Sequence, residues 1–378
     1  MTAEAIAAQS PTPTVLDADP ANPADEPPTL GRRKITPSAA AITRVIRWTA
    51  LVVGLIVGLL LLIWAVTGAD PSTVVREFIA GSVGDQTAIS RTLVRATPLV
   101  LVGVGAAAAV RAGAFNVGGE GQMAMGAITA VLALQALGNA VPAPLLWGAA
   151  LIAGAIGGAA WAVLPAYLWV RRGVSEILTT LLLNFITVSV LLYLLGLSLF
   201  TDPDPNVVTP QGAPIEDRAK LPIIWDDTRL HAGVLVALAA VVGFALWSRT
   251  TGGLRVDLAG ANPNLAGQAG LRPDRIKVRM LLLSAAFAGV AAAVQLMGVS
   301  HRVTTGLPGG IGYTGVLVAV LGRSRPIPTA VAAVGFAALV GGGEALEFVD
   351  VPRSVVVLVQ AIAVIAVAAG TRGRGGAR

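Results

Sequence analysis

Glu120 stands in the stretch RAGAFNVGGEGQMAMGA, residues 111–127, with Asn116 and Gln122 close by and Gly113, Gly118, Gly119 and Gly121 around it. A carboxylate and two amides in this setting can hold a proton or hydrogen-bond a polar solute, yet apolar residues continue for many positions on both sides. An acid facing lipid is costly, so Glu120 is expected to face the interior of a helix bundle or lie near the membrane surface. Each glycine inside a helix costs roughly 1 kcal/mol relative to alanine. Such backbone persists in a membrane where it lines a cavity or packs tightly on a neighbour. Two readings follow: a polar lining of a solute path, which is the one carried forward, or close helix packing with an interfacial acid.

Two further stretches hold similar chemistry. TTGLPGGIGYTGVLVAVLG, residues 304–322, carries Gly306, Gly309, Gly310, Gly312 and Gly315 ahead of an apolar run, with Tyr313 and Thr314 among them. In GVSEILTTLLLNFIT, the residues Glu176, Thr179, Thr180, Asn184 and Thr187 recur at three- and four-residue steps, which sets one polar stripe along a helix. That stripe suits either helix–helix hydrogen bonding or contact with a polar solute.

Other chemistries find little support. Cysteine is absent, which removes thiolate nucleophiles, disulfides and cysteine-based metal sites. His231 and His301 are far apart in sequence, each beside an expected membrane boundary, and read as interfacial residues. A phosphate-binding P-loop needs Gly-Lys-Ser/Thr, whereas Lys34, Lys220 and Lys277 follow Arg33, Ala219 and Ile276. No Ser-His-Asp arrangement or metal cluster stands out. Nucleotide hydrolysis by the P-loop route is therefore not expected of this chain.

The elements that must position these groups are membrane helices. Of 378 residues, 55% are hydrophobic and 13% charged, with a mean hydropathy of +0.76. A soluble domain carries about 25% charged residues. Ten helices are predicted near 46–67, 92–110, 115–138, 145–170, 174–200, 230–248, 278–299, 311–322, 327–346 and 353–370. A crossing takes about 20 mostly apolar residues, so the eighth is short for one. With both termini cytoplasmic, the 27 basic residues divide as 19 inside and 8 outside, the sign the positive-inside rule requires. This distribution also explains the net charge of +6 without nucleic acid. Residues 1–40 read as a disordered cytoplasmic tail ahead of a transmembrane domain, 41–378. An outer loop covers 201–229 and is expected to be solvated. A basic inner loop covers 249–277, with a short helix expected after Asn262 and Pro263. The glycine-rich openings of the third and eighth helices are each third within a half of five. The fold class expected is therefore all-α and polytopic, with two inverted five-helix halves whose broken helices meet at a solute site.

RAGAFNVGGEGQ, GVSEILTTLLLNFI, GANPNLAGQAGL and GIGYTGVLVAVLGR, in that order, resemble the permease subunits of bacterial ABC importers of the branched-chain amino acid and ribose type, closest to the nucleoside and simple-sugar branch. The resemblance spans about 92–370. It implies an inner-membrane permease, a transport subunit and no enzyme, with no cofactor of its own, working with an ATP-binding subunit that carries ATP and Mg, a second permease subunit, identical or homologous, and an extracellular substrate-binding protein. It implies a substrate path along Asn116, Glu120, Gln122, Asn184, Tyr313 and Thr314. It also implies a coupling helix docking on the ATPase through Gly260, Asn262, Pro263, Ala266, Gly267 and Gly270. The sequence departs from the family at Asp257, where an arginine is common, and at Thr314, where an aspartate is common. The alternative reading is a proton-coupled secondary transporter with Glu120 or Glu344 as carrier.

Overall fold

The computed structural model describes residues 57–58, 60–61, 63–197, 200, 210–349 and 351–372. The expected tail and most of the first expected helix lie outside these residues. Within them the chain is helical: α1 Pro71–Ile79, running into a π turn at Ala80–Gly84, α2 Gln86–Arg111, α3 Gly119–Leu137, α4 Ala143–Trp161, α5 Val163–Arg172, α6 Glu176–Leu195, α7 Gly233–Trp247, α8 Thr251–Ala261, α9 Pro263–Gln268, α10 Pro273–Gln295, α11 Ile311–Leu321, α12 Pro326–Leu346 and α13 Arg353–Arg372. Among the described residues the only β pairing is two isolated antiparallel bridges.

Among the described residues, six stretches are long and apolar enough to cross a membrane: α2, α3, α4 with α5, α6, α10 and α12. The pair α7 and α8, bent by 79°, makes a seventh if taken as one span. The helix α11 is apolar but short, as its sequence indicates. The chain is a polytopic membrane protein.

Two helices lie where loops are expected. Asp70 caps α1 by accepting from the Thr73 amide at 3.0 Å, with Pro71 in the first turn. Asp85 accepts from the Ala88 amide at 2.6 Å, so α2 begins six residues before its apolar run. The other unexpected helix is α8, ahead of the expected α9.

The core is built around α2, most of whose side chains are buried, with α10, α11 and α12 packed on it. In lipid no hydrophobic drive holds helices together, so close backbone contact and interhelical hydrogen bonds carry the association. The block formed by α3, α4 and α10 shows this directly. A Cβ on Gly289 would lie 1.9 Å from the Gly154 carbonyl oxygen, and one on Gly126 would lie 2.5 Å from the Gly289 Cα. A Cβ on Gly158 would meet the Ala285 carbonyl oxygen at 2.3 Å. Thr129 of α3 donates to the Ala153 carbonyl of α4 at 2.8 Å.

The described part of the long loop before α7 is not simply solvated. Its backbone pairs with the segment after α10: Gly212 N–H to Val303 at 2.8 Å, Ile215 N–H to His301 at 2.8 Å, and Leu221 N–H to Met297 at 3.0 Å. Ala219, Leu221 and Leu230 are buried there. Arg218 donates to Asn139 and to the Val141 carbonyl, tying the loop to the α3–α4 turn. Pro and acidic residues conceal this, because the loop is held mainly through its backbone. Ile223, Ile224 and Trp225 are exposed.

Candidate functional site

The glycine-rich openings of α3 and α11 come together. The helix α3 starts after an irregular turn in which Gly113 has φ +74°, and α11 starts after Gly309 and Gly310, at φ +52° and +87°. The first N–H groups of a helix have no intrahelical partner, and in a membrane they must find one inside the protein. Glu120 supplies it for α11: its carboxylate accepts from the Gly312 N–H at 2.7 Å and the Gly310 N–H at 3.3 Å. A carboxylate at a helix N-terminus also meets the positive end of the helix dipole. The opening of α3 is satisfied from α6, where Asn184 accepts from the Gly121 N–H at 3.0 Å and donates to the Val117 carbonyl at 2.9 Å.

A buried knot of amides closes the turn before α3. Asn116 and Gln122 exchange two hydrogen bonds, at 2.7 and 2.8 Å, and Asn116 also donates to the Ser284 hydroxyl of α10 at 3.0 Å. The Gly118 N–H donates back to Asn116 at 3.1 Å. Asn184 donates to the Tyr313 hydroxyl at 3.0 Å, joining α6 to α11.

The six expected path residues are thus brought into one neighbourhood but in different roles. Asn116, Gln122 and Asn184 are buried and hydrogen-bonded to protein groups. Glu120 is partly buried against α11. Tyr313 is exposed, and Thr314 lines a cavity of about 230 Å³ with Arg95 and Gln295. Arg95 and Gln295 were not among the expected residues. Arg95 forms an ion pair with Glu344, and only the acid of that pair drew notice in sequence. Ser284 was missed as well, for a lone serine in an apolar helix gives no signal.

The stripe on α6 faces the bundle. Thr179, Thr180 and Thr187 are buried and donate to carbonyls one turn back. Glu176 pairs with Lys277 of α10 at 2.8 Å, and that ammonium lies 4.3 Å from the Trp169 ring centre. The threonine bonds stay within α6, whereas Glu176 and Asn184 reach other parts of the bundle.

The basic loop folds as two short helices. The α7–α8 bend turns the chain sharply, and α9 follows with Asn262 as its cap, accepting from the Leu265 N–H at 3.0 Å, and Pro263 in the first turn. Ala266 is buried, whereas Gly267 and Gly270 have open space where a side chain would project. Gly270, at φ +76°, ends the helix, and the Leu271 N–H returns to the Ala266 carbonyl at 3.0 Å. A Cβ on Gly260 would lie 1.9 Å from the Arg111 carbonyl oxygen. Asp257 receives both arms of Arg111, each at 2.6 Å. The acid that departs from the family pattern therefore ties α8 to the end of α2, just ahead of the amide knot.

Outside the membrane-spanning segments, His231 is buried, and desolvation with repulsion from His301 pushes its pKa down to about 4. Among the described residues no group of three or more His, Cys, Asp or Glu residues could hold a metal ion.

A bundle of apolar helices with glycine-opened segments meeting inside it is the architecture of a membrane permease. Residues 88–368 match the family described as branched-chain amino acid transport system / permease component, and the chain belongs to that family. It is the permease of an ABC transport system. It is similar to the glucose ABC transporter permease protein TsgB13 of Haloferax volcanii, 31% identical over 308 residues, covering 78% of this chain and 80% of the relative. It is also similar to the guanosine ABC transporter permease protein NupP of Bacillus subtilis, 32% identical over 323 residues, covering 82% and 90%. The nucleoside ABC transporter permease protein NupB of Lactococcus lactis is 26% identical over 326 residues, covering 84% and 89%.

Proposed function

We propose that this permease forms the translocation path of an ATP-driven importer for nucleosides or a related sugar-bearing solute, working by alternating access. The observation that carries the proposal is the contact of Gly260 with the Arg111 carbonyl, locked by the Arg111–Asp257 pair. Through it, a push on α9 reaches the turn before α3, and from there Glu120 and the opening of α11. Packed elements of this kind pass on rigid-body shifts.

In this reading an ATP-binding subunit, holding ATP and Mg, docks on α9 around Gly267. A second permease subunit completes the pore, and a substrate-binding protein delivers solute to the outer loops. The chain sits in a bacterial inner membrane with both termini cytoplasmic. Residues 1–40 form a tail, and the rest form ten spans in two inverted halves. The meeting of the α3 and α11 openings supports that symmetry. Tyr313 and Thr314 face the solute, and Asn116, Glu120, Gln122 and Asn184 hold the backbone that shapes its path. The nucleoside and glucose transport named for the relatives supports the solute class.

The proton-coupled alternative asks for a carboxylate able to exchange protons. Glu120 is held by two amides and Glu344 by Arg95, which weighs against it. The deciding experiment is uptake of radiolabelled guanosine and glucose by the complex in proteoliposomes. Accumulation that needs enclosed ATP is expected. Uptake driven by a proton gradient alone, with no ATPase subunit present, overturns the proposal.

A further inference from the structure

The groove between α2 and α12 holds two cavities in line. One, of about 450 Å³, is rich in charge, with Glu77, Arg91, Glu344, Glu347 and Arg353 in its lining. The other, of about 230 Å³, is the cavity that contains Gln295 and Thr314. The linings advance along both helices turn by turn. On α2, Arg91 belongs to the charged cavity, and Pro98 and Leu99 belong to the Thr314 cavity. On α12, Gly341 and Glu344 belong to the first, and Phe336, Ala337 and Val340 belong to the second. Among the described residues, Arg95 alone lines both.

Arg95 crosses the groove at that junction. Its guanidinium pairs with Glu344, and a Cβ on Gly341 would lie 3.2 Å from its Nη1. The bare main chain at Gly341 leaves room for an arginine reaching over from the facing helix. The walls on either side are pinned to the π turn. The Ser82 hydroxyl donates to the Ala338 carbonyl of α12 at 2.8 Å, and the Thr92 hydroxyl of α2 donates to the Ser82 carbonyl at 2.7 Å. The part free to move is the long arginine side chain. Arg95 is one-third exposed and Glu344 half exposed, and an ion pair in that much water adds little to stability. Such a tie holds the groove shut and parts at small cost. An ion pair serving stability alone has no reason to stand between two cavities.

We propose that Arg95, latched by Glu344, is the outer gate of the solute path, and that its release joins the charged cavity to the Thr314 cavity. The proposal rests on the importer reading. That reading sets the Arg111 end of α2 inside, and so sets the Arg95 end, about 24 Å away at roughly 1.5 Å per residue, outside.

The test uses right-side-out membrane vesicles that hold the whole transport complex, with Thr314→Cys in this chain, which has no other cysteine. Membrane-impermeant methanethiosulfonates, one cationic and one anionic, are added outside, and modification of residue 314 is timed by mass spectrometry. Arg95→Ala and Glu344→Gln should each speed both reagents at least ten-fold, and Arg91→Ala, which removes a charge from the same outer cavity, should not. The exchange Arg95→Glu/Glu344→Arg should slow modification again. Opposite effects on the two reagents reduce the result to electrostatics and overturn the gate, as does an equal effect of Arg91→Ala. No modification in any variant overturns it too. A second reading needs no change at the ion pair. With Thr314→Cys alone, modification should differ at least ten-fold between nucleotide-free and vanadate-trapped vesicles. Equal rates in vesicles whose wild-type uptake needs ATP overturn the gate and leave the importer reading standing. Uptake that needs no ATP overturns that reading itself.

Discussion

Gly119 and Gly312 meet backbone against backbone: a Cβ on Gly119 would lie 2.8 Å from the Gly312 Cα, and one on Gly312 would lie 2.3 Å from the Glu120 amide nitrogen. The two nearest atoms on each side are main chain, which cannot yield as a side chain would. Gly312→Ala is expected to destabilise the protein by about 1–3 kcal/mol and to separate Glu120 from α11. Gly243→Ala, with open space around it in α7, should be neutral or slightly stabilising. Thermal unfolding in detergent compares the two, and equal melting temperatures would contradict the packing.

Glu120 offers two oxygens to two amides. Glu120→Gln retains one acceptor and Glu120→Ala retains none. Loss of a buried acceptor leaves its donors unsatisfied at about 1–3 kcal/mol, so stability should fall in the order Glu, Gln, Ala. Uptake by the Gln variant should remain measurable. Complete loss of uptake with unchanged stability would instead favour a proton carrier.

Arg111 and Asp257 form a two-armed pair, with the arginine largely buried. Its contribution is expected near 1 kcal/mol, because the acid is about half exposed. Its effect on transport should be larger. Asp257→Ala should let ATP hydrolysis proceed with little uptake, and the exchange Arg111→Asp/Asp257→Arg should recover part of it. A double-mutant cycle on uptake checks this.

Gly260 and Gly267 separate packing from docking. Gly260→Ala drives a methyl into the Arg111 carbonyl and should lower the melting temperature. Gly267→Trp projects into open space and should melt like wild type while abolishing solute-stimulated ATP hydrolysis. Normal uptake by the Gly267→Trp variant would remove α9 from the coupling role.

His231 sets a pH dependence at the turn before α7. Its folded pKa, about 4, lies below the ordinary 6.5 because it is buried near His301, which in turn faces Lys220 and Asp217. The neutral ring is the folded form, so the unfolded chain binds the extra proton between these values. Its stabilising contribution is full above pH 6.5 and is lost as pH falls toward 4, by an amount of order 3 kcal/mol. Melting temperatures measured across that window should fall with pH less steeply in His231→Gln than in wild type.

Much of this architecture is legible in sequence because hydropathy reports burial in lipid directly. The runs that became α2, α3, α6, α7, α10 and α12 stand out by their apolar length, and α9 by Asn262 and Pro263. The polar α1 and α8 escape notice because they follow capping chemistry and packing, not apolar length. The residues of the Asn116–Gln122–Ser284 knot illustrate a second limit. Composition marks the two amides as unusual, but only three-dimensional contact shows them serving unwound backbone. Which surface Tyr313 and Thr314 share with Arg95 and Gln295 depends on helix rotation, which a pattern with glycines throughout does not fix.

The glycine contacts that join α3, α4 and α10 set main chain against main chain at Gly126, Gly154, Gly158 and Gly289. None of the three can slide past the others without parting main chain from main chain. They must travel as one plate in any cycle the transporter runs. Bending then falls to the plate's borders, the turn at 113–118 before α3 and the π turn Leu296–Ser300 after α10. A ruler stretched between labels on α3 and α4 would read the same length in every state.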